Sequence, residues 1–149
     1  MLPKTNNDLV FLLQILEAIT KINIYSKDFN DAETFYKSND QLNFNGSLLL
    51  IANIGEQVNK ISPELKKNYP EMEWSKIKKV RNRIVHDYSG IDSEITFSII
   101  KNEFQPLENY IYEILKTEIQ KNNFDKQEIE IARQSDFYRH VKFETFIPQ

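Results

Sequence analysis

Cysteine is absent from the 149-residue sequence, which excludes disulfide bonds, cysteine-based zinc sites and thiol nucleophiles. With only three glycines and 28% charged residues, the composition argues against both a turn-rich β protein and a disordered chain. No apolar run reaches the roughly 20 residues of a membrane-spanning helix, because Gln14 and Glu17 interrupt the stretch that begins at Leu9. We therefore expect a cytoplasmic protein of ordinary domain size, without a signal peptide or membrane contact.

Charge is unevenly distributed along the chain. The net charge of −3 gives the whole molecule no general attraction for nucleic acid. One stretch nevertheless contains five basic residues and no acidic residue: Lys76, Lys78, Lys79, Arg81 and Arg83. A local basic stripe of this kind can bind a polyanion even when the chain is acidic overall.

Apolar residues recur at helical spacing along most of the chain, which predicts an all-α fold. The predicted helices cover approximately residues 7–25, 31–36, 40–60, 63–68 and 74–88, and a last helix begins after Asp92 and runs past Leu115. Ser62 and Asp92 are the predicted N-terminal caps of the helices that follow them. The first helix is apolar on two faces, so we expect both faces to be buried. An oligomer interface is one candidate for what covers the second face. Gly55 costs about 1 kcal/mol relative to alanine within a helix, which predicts the close approach of another helix there. Gly90 is the predicted C-terminal cap of the helix at 74–88, and Pro106 predicts a kink in the last helix.

The segment at residues 78–88 combines the residue types that RNA chemistry needs. On one continuous helix, at 100° per residue, Arg81 and Tyr88 share a side. Asn82 and His86, four residues apart, stack on each other. The sequence therefore predicts one helix that presents arginine, asparagine, histidine and tyrosine to solvent within a basic field.

Cleavage of RNA without a metal requires a base for the ribose 2′-hydroxyl, an acid for the leaving oxygen and a cation for the phosphorus centre. A histidine such as His86, with an ordinary pKa near 6.5, can act as the base or the acid. The fork of Arg81 can stabilise the extra negative charge through charge-assisted hydrogen bonds. Asn82 can orient the phosphate or the imidazole. Since the segment has one histidine, a second copy from a symmetric dimer can complete the acid–base pair.

Each of these residues also has a simpler interpretation. A histidine near a helix end commonly caps carbonyl groups, and exposed arginines are commonly solvated charges. Tyr88 suits a half-buried packing position, and Arg83 with Asp87 suits a salt bridge at a spacing of four. Residue types and spacing alone therefore leave both a nuclease and an ordinary surface helix open.

The pattern Arg81-Asn82-x-x-x-His86-x-Tyr88 resembles the motif of HepT toxins within the HEPN superfamily. Flanking segments resemble the same family in the same order, so that the resemblance covers about residues 8–115. Those segments are Ile54-Gly55-Glu56, Ser62-Pro63-Glu64-Leu65, Tyr69-Pro70-Glu71, Trp74 with Ile77, and Gly90-Ile91-Asp92. The ordered flanks make the resemblance specific.

The resemblance implies an all-α, up-and-down bundle of four to five helices that dimerises, with the two motifs meeting at a cleft. It also implies metal-independent endoribonuclease activity without a cofactor, with Arg81 and His86 as the catalytic pair. The predicted supporting residues are Asn82, Arg83 and Glu56, and the predicted RNA-binding residues are Lys78 and Lys79.

HepT proteins are paired with an antitoxin of the minimal nucleotidyltransferase type, MntA, in type II toxin–antitoxin systems. The resemblance implies that such a partner transfers AMP from ATP to Tyr88 and silences the toxin. On a continuous helix, the added nucleotide lies beside Arg81 and occupies the phosphate-binding groove.

Residues 120–149 lie outside the resemblance. We therefore divide the chain into a HepT-like helical domain at residues 1–119 and a C-terminal extension at residues 120–149. Strand, helix and partner-dependent folding all remain open for the extension. It can cover the cleft, extend the dimer interface or dock the antitoxin, and His140 within it is interpreted as incidental.

Two other functions remain open beside the toxin nuclease. One is a catalytically silent helical module that binds a nucleotidyltransferase or a nucleotide, and the other is a purely structural subunit of an oligomer. The presence of Arg81, Asn82 and His86 together favours the nuclease, because a silent module has no physical need for all three.

Overall fold

The computed structural model describes residues 7–86 and 90–148, and for His86 it describes the backbone alone. Most of this chain is α-helical, which confirms the all-α prediction. The α-helices are α1 (Asp8–Ser26), α2 (Ala32–Lys37), α3 (Leu42–Lys60), α4 (Pro63–Asn68), α5 (Trp74–Lys78), α6 (Val80–Ile84), α7 (Ser93–Asn102), α8 (Phe104–Gln120) and α9 (Lys126–Arg133). Short 3-10 turns occur at Asp136–Tyr138 and Phe143–Thr145, and Ser38–Gln41 forms a turn with positive φ at Asn39, Asp40 and Gln41. Two-residue strands, β1 (Val85–His86) and β2 (Gly90–Ile91), pair in antiparallel fashion as a hairpin.

Helices α1 and α3 form the centre of the bundle, where α1 packs most extensively against α3 and also contacts α7 and α8. The second apolar face of α1 is covered by this chain itself, since Ile15, Ala18 and Ile22 are at most 2% exposed. Burial of the remaining apolar stripes, such as Ile111 and Ile114 on α8, completes one continuous core.

Helix α1 meets the length and hydropathy criteria of a membrane-spanning helix, contrary to the expectation from Gln14 and Glu17. These polar residues are too few to offset the apolar ones, and the mean hydropathy of the helix is 1.4. In this fold 56% of the 18-residue window is buried. The core helix of a globular protein meets the same criteria.

The starts of three helices follow from local capping residues. Asp31, Ser62 and Asp92 each precede a helix, and each side chain accepts a hydrogen bond from the amide three residues further on, at 2.8, 3.2 and 2.9 Å. Pro63 occupies the first position of α4, where its missing N–H costs nothing. The predicted caps at Ser62 and Asp92 are therefore confirmed.

The helix predicted at residues 92–115 is divided in two. Its first part, α7, ends at Asn102, and α8 begins at Phe104. Pro106 lies in the first turn of α8, where it cannot donate to the carbonyl of Asn102 and its ring would clash with that carbonyl in a continuous helix. The predicted kink thus lies at Glu103, three residues before the proline, where a single residue separates the two helices.

The C-terminal segment packs back onto the bundle. Val141, Phe143 and Phe146 are buried, and the backbone N–H of Lys142 donates to the Tyr112 hydroxyl at 3.0 Å. His140 is not incidental, because its N–H donates to the buried carboxylate of Glu17 at 2.8 Å and its Nδ1 lies 2.6 Å from the second oxygen. A buried carboxylate needs such partners. The division of the chain at residue 120 stays a prediction.

Candidate active site

The motif segment is not one continuous helix, so the helix predicted at residues 74–88 is wrong. Helix α5 ends at Lys78, Lys79 has φ −95° and ψ 13°, and α6 is only five residues long. Val85 is extended, with φ −97° and ψ 118°. The candidate site therefore begins on a one-turn helix and continues onto a β-hairpin.

Backbone pairing explains why α6 stops where it does. Val85 pairs with Ile91 and His86 with Gly90, and the N–H of Asp92 donates to the carbonyl of Ile84 at 2.8 Å. A β-branched residue such as Val85 favours this extended backbone. Gly90 has φ +89°, a conformation that glycine tolerates. It therefore closes a hairpin and does not cap a helix as predicted.

This geometry overturns the predicted stacking of side chains. Asn82 lies on α6 but His86 lies on an extended strand, so the helical spacing of four does not bring them together. The argument that placed Arg81 and Tyr88 on one helical side loses its premise, because α6 ends at Ile84. Asp87, Tyr88 and the side chain of His86 lie outside the described residues.

The basic stripe is exposed on the surface that α5 and α6 form. Arg81, Asn82, Lys78 and Lys79 are all exposed. Within residues 7–86 and 90–148, no ion pair involves Arg81, Lys78 or Lys79. The pKa of Lys66 is lowered mainly by burial of its ammonium group. The positive charge of Lys78 lowers it further.

Gly55 places this basic surface against the core. A Cβ atom at Gly55 would lie 3.2 Å from the carbonyl oxygen of Lys78 and 3.6 Å from Cγ1 of Val80. The predicted close approach is therefore confirmed, and the neighbour is the junction between α5 and α6. Glu56, the next residue on α3, is exposed, and in the described part of the chain no hydrogen bond joins it to the motif.

Arg83 faces the opposite direction and forms an ion pair that the sequence does not predict. Its two terminal nitrogens donate to the two carboxylate oxygens of Glu103 at 2.7 and 2.6 Å. The pairing of Arg83 with Asp87 stays a prediction, because Asp87 lies outside the described residues. Lys76 lies 3.6 Å from Glu103 and also 3.6 Å from Glu73, which extends the pair into a small network.

The Arg83–Glu103 pair predicts a pH dependence of stability. The hydrogen bonds from Arg83 hold the pKa of Glu103 below its ordinary value, although burial opposes this. The carboxylate therefore contributes stability above the unfolded pKa of about 4.3, and this is lost as pH falls through the lower folded pKa. We expect urea unfolding to show that wild type is more stable than Glu103→Gln at neutral pH, with the difference shrinking in acid. A difference that stays constant with pH would contradict the ion pair.

A cleft of about 380 Å³ lies beside this pair, between α5–α6 and α7–α8. Its lining is mostly apolar, with Ile77, Val80 and Leu107 among the residues, and it also includes the charged Arg83 and Glu103. At the far side the Tyr110 hydroxyl donates to Glu71 at 2.5 Å, and burial and this bond raise the pKa of Tyr110 to about 12. Arg83 and Glu103 are thus already paired within the chain.

Comparison with protein families identifies the segment that contains this site. A family model described as Ribonuclease HepT-like matches residues 15–114, which is more than half of the chain and contains every predicted site residue. The resemblance predicted from the motif is therefore confirmed.

Curated relatives carry related names. A Methanocaldococcus jannaschii protein, named as a gamma-glutamylcyclotransferase and candidate RNase, is 26% identical over 120 residues, which are 80% of this chain and 52% of that protein. A candidate RNase of Caldanaerobacter subterraneus subsp. tengcongensis is 31% identical over 65 residues, 44% of this chain and 58% of its own length. Another candidate RNase of M. jannaschii is 29% identical over 106 residues, which are 71% of this chain and 85% of that protein.

The chain thus spans about half the length of the first two relatives. No solved structure gives a significant match to it.

Proposed function

The chain belongs to the HepT-like ribonuclease family, and from this premise we propose that it is a metal-independent endoribonuclease toxin of a type II toxin–antitoxin system, acting in the cytoplasm. The observation that carries the proposal is the exposed group of Arg81, Asn82, Lys78 and Lys79, directly before His86 on β1. Arg81, Lys78 and Lys79 form no ion pair within the described residues and can bind phosphate, whereas Arg83 is engaged with Glu103.

The proposed reaction is an internal transfer at phosphorus. A base removes the proton of the ribose 2′-hydroxyl, the 2′-oxygen forms a bond to phosphorus, and the bond to the 5′-oxygen breaks. An acid gives a proton to that 5′-oxygen, so the products are a 2′,3′-cyclic phosphate and a 5′-hydroxyl end. We assign His86 to proton transfer and Arg81 to the developing negative charge.

A symmetric dimer is proposed because one histidine per site leaves the acid or the base unassigned. The hairpin supports this assembly. Val85 and Ile91, which pair across it, are 41% and 45% exposed, so an apolar pair lies on the surface next to the motif. A second copy at that surface would cover these side chains and bring two His86 residues towards one cleft.

Regulation by a nucleotidyltransferase partner of the MntA type is part of the proposal. The Tyr88 oxygen attacks the α-phosphorus of ATP, a Tyr–AMP bond forms and pyrophosphate leaves. Tyr88 follows His86 by two residues, so a bulky anionic group attached there is expected to exclude RNA and to attract Arg81. This argument uses closeness along the chain, since the helix that carries Arg81 ends at Ile84.

The first test is cleavage of a mixed-sequence RNA by the purified protein in EDTA, with intact-mass analysis to establish whether Tyr88 carries AMP. We expect cleavage to persist in EDTA and to leave cyclic phosphate ends, while 2′-O-methyl RNA stays intact because its nucleophile is blocked. Loss of cleavage in EDTA would exclude the metal-independent mechanism. If unmodified protein cuts none of the RNA with or without Mg²⁺, the silent binding module replaces the nuclease.

A further inference from the structure

Helix α6 carries Arg81 and Asn82 but is too short to be stable alone. It has five residues, whereas isolated helices shorter than about 12 residues are marginal in water. Its position therefore depends on tertiary contacts. Val80 and Ile84 anchor it to the core, and the ion pair between Arg83 and Glu103 anchors it from the side.

The Arg83–Glu103 pair has the geometry of a directional anchor. Two parallel hydrogen bonds of 2.7 and 2.6 Å fix the guanidinium plane relative to the carboxylate. Both side chains are about one-third exposed, at 30% and 32%, so water screens the pair only in part. Glu103 lies at the break between α7 and α8, a point held by the buried Phe104 and Ile100 on either side.

The anchor acts on Arg81 through the helix. Arg81 and Arg83 are two residues apart, which is about 200° around a helix, so they point to nearly opposite sides. Fixing Arg83 towards α7 and α8 therefore fixes Arg81 towards solvent. Since Glu103 also neutralises Arg83, Arg81 is the α6 arginine that has no ion pair among the described residues and is available to phosphate.

We infer that Glu103 is a positioning residue of the ribonuclease site, which holds α6 through Arg83 and so sets the direction of Arg81. The inference rests on the proposed function for its catalytic consequence. Glu103 is not expected to touch RNA.

The test is a cycle of Arg83→Ala, Glu103→Ala and the double variant, assayed for RNA cleavage well below the temperature of unfolding. Each single variant is expected to lose roughly ten- to a hundredfold in kcat, the effect of misplacing a catalytic group by about 1 Å, with KM changed less than threefold. The double variant is expected to lose no more than the singles, because one anchor is removed in all three. Glu33→Ala is the matched control, since Glu33 forms a 2.6 Å ion pair with Lys37 on α2.

Two results would overturn the inference. If Glu103→Ala lowers KM and leaves kcat unchanged, Arg83 binds RNA phosphate directly, and Glu103 only competes with the phosphate for it. If the losses in the singles multiply in the double variant, the two residues act independently.

Amide hydrogen exchange separates this inference from the proposed function. Glu103→Ala is expected to speed exchange at the α6 amides, whereas Glu33→Ala is expected to leave them unchanged. If wild-type protein cuts no RNA, the proposed function fails, yet exchange still decides whether Glu103 holds α6. Unchanged exchange in Glu103→Ala would reject the anchor.

Discussion

Replacing Arg81 with alanine is expected to lower kcat for RNA cleavage by about two to three orders of magnitude, as removal of one donor to a developing oxyanion does. The guanidinium is exposed and, within the described residues, forms no ion pair, so its charge is available to the phosphate. Its strongest interaction is expected when the phosphorus centre carries extra charge, and kcat should therefore fall much more than KM rises. Steady-state cleavage of a short fluorescent RNA measures both.

Two variants control for charge and for side-chain type. Arg133→Ala removes an exposed arginine on α9, remote in sequence from the motif, and is expected to stay within about twofold of wild type. Arg81→Lys keeps the charge but loses the fork, so it should recover only part of the rate. If Arg81→Ala cleaves RNA at the wild-type rate, Arg81 is not a catalytic residue.

The same assay applies to the second member of the predicted pair. His86→Ala is expected to abolish cleavage while binding of 2′-O-methyl RNA persists, because the cations Lys78, Lys79 and Arg81 remain. A catalytically silent module or a structural subunit predicts no activity for His86→Ala to remove. Cleavage by His86→Ala at the wild-type rate would assign proton transfer to another group.

Helix positions in this chain are largely predictable from its sequence because their signals are local. Apolar spacing locates α1 and α3, and Ser62 and Asp92 start their helices through hydrogen bonds to amides three residues away. The membership of the family is also predictable, since the spacing of Arg81, His86 and Tyr88 is fixed by the chain itself.

The shape of the motif segment is not predictable in the same way. Trp74, Val80 and Ile84 are buried at helical spacing, and a continuous helix would satisfy that pattern as well as the broken one. Tertiary contacts decide between the two, such as the Asp92 N–H on the carbonyl of Ile84. The pairing of Glu103 with Arg83 is not predictable for a related reason. The two residues are 20 positions apart in the sequence, and only the fold brings them together.

A leucine at position 55 is expected to lower the free energy of unfolding by about 1–3 kcal/mol and to reduce RNA cleavage well below the temperature of unfolding. The Cβ alone would lie 3.2 Å from the carbonyl oxygen of Lys78, a backbone atom that cannot rotate away. A longer side chain must therefore push the junction of α5 and α6 off α3. This displacement outweighs the gain of about 1 kcal/mol from replacing a helical glycine.

Gly46 provides a matched control on the same helix. A Cβ there would meet the side chain of Tyr25 at 3.4 Å, an ordinary contact with a group that can move. Gly46→Leu is therefore expected to change the free energy of unfolding by less than about 1 kcal/mol and to keep full activity. Gly55→Ala should be close to neutral, because the gain in helix propensity offsets the tight contact. Urea unfolding and cleavage assays of the three variants measure both effects, and equal stability of Gly55→Leu and Gly46→Leu would show that the basic surface does not depend on close packing against α3.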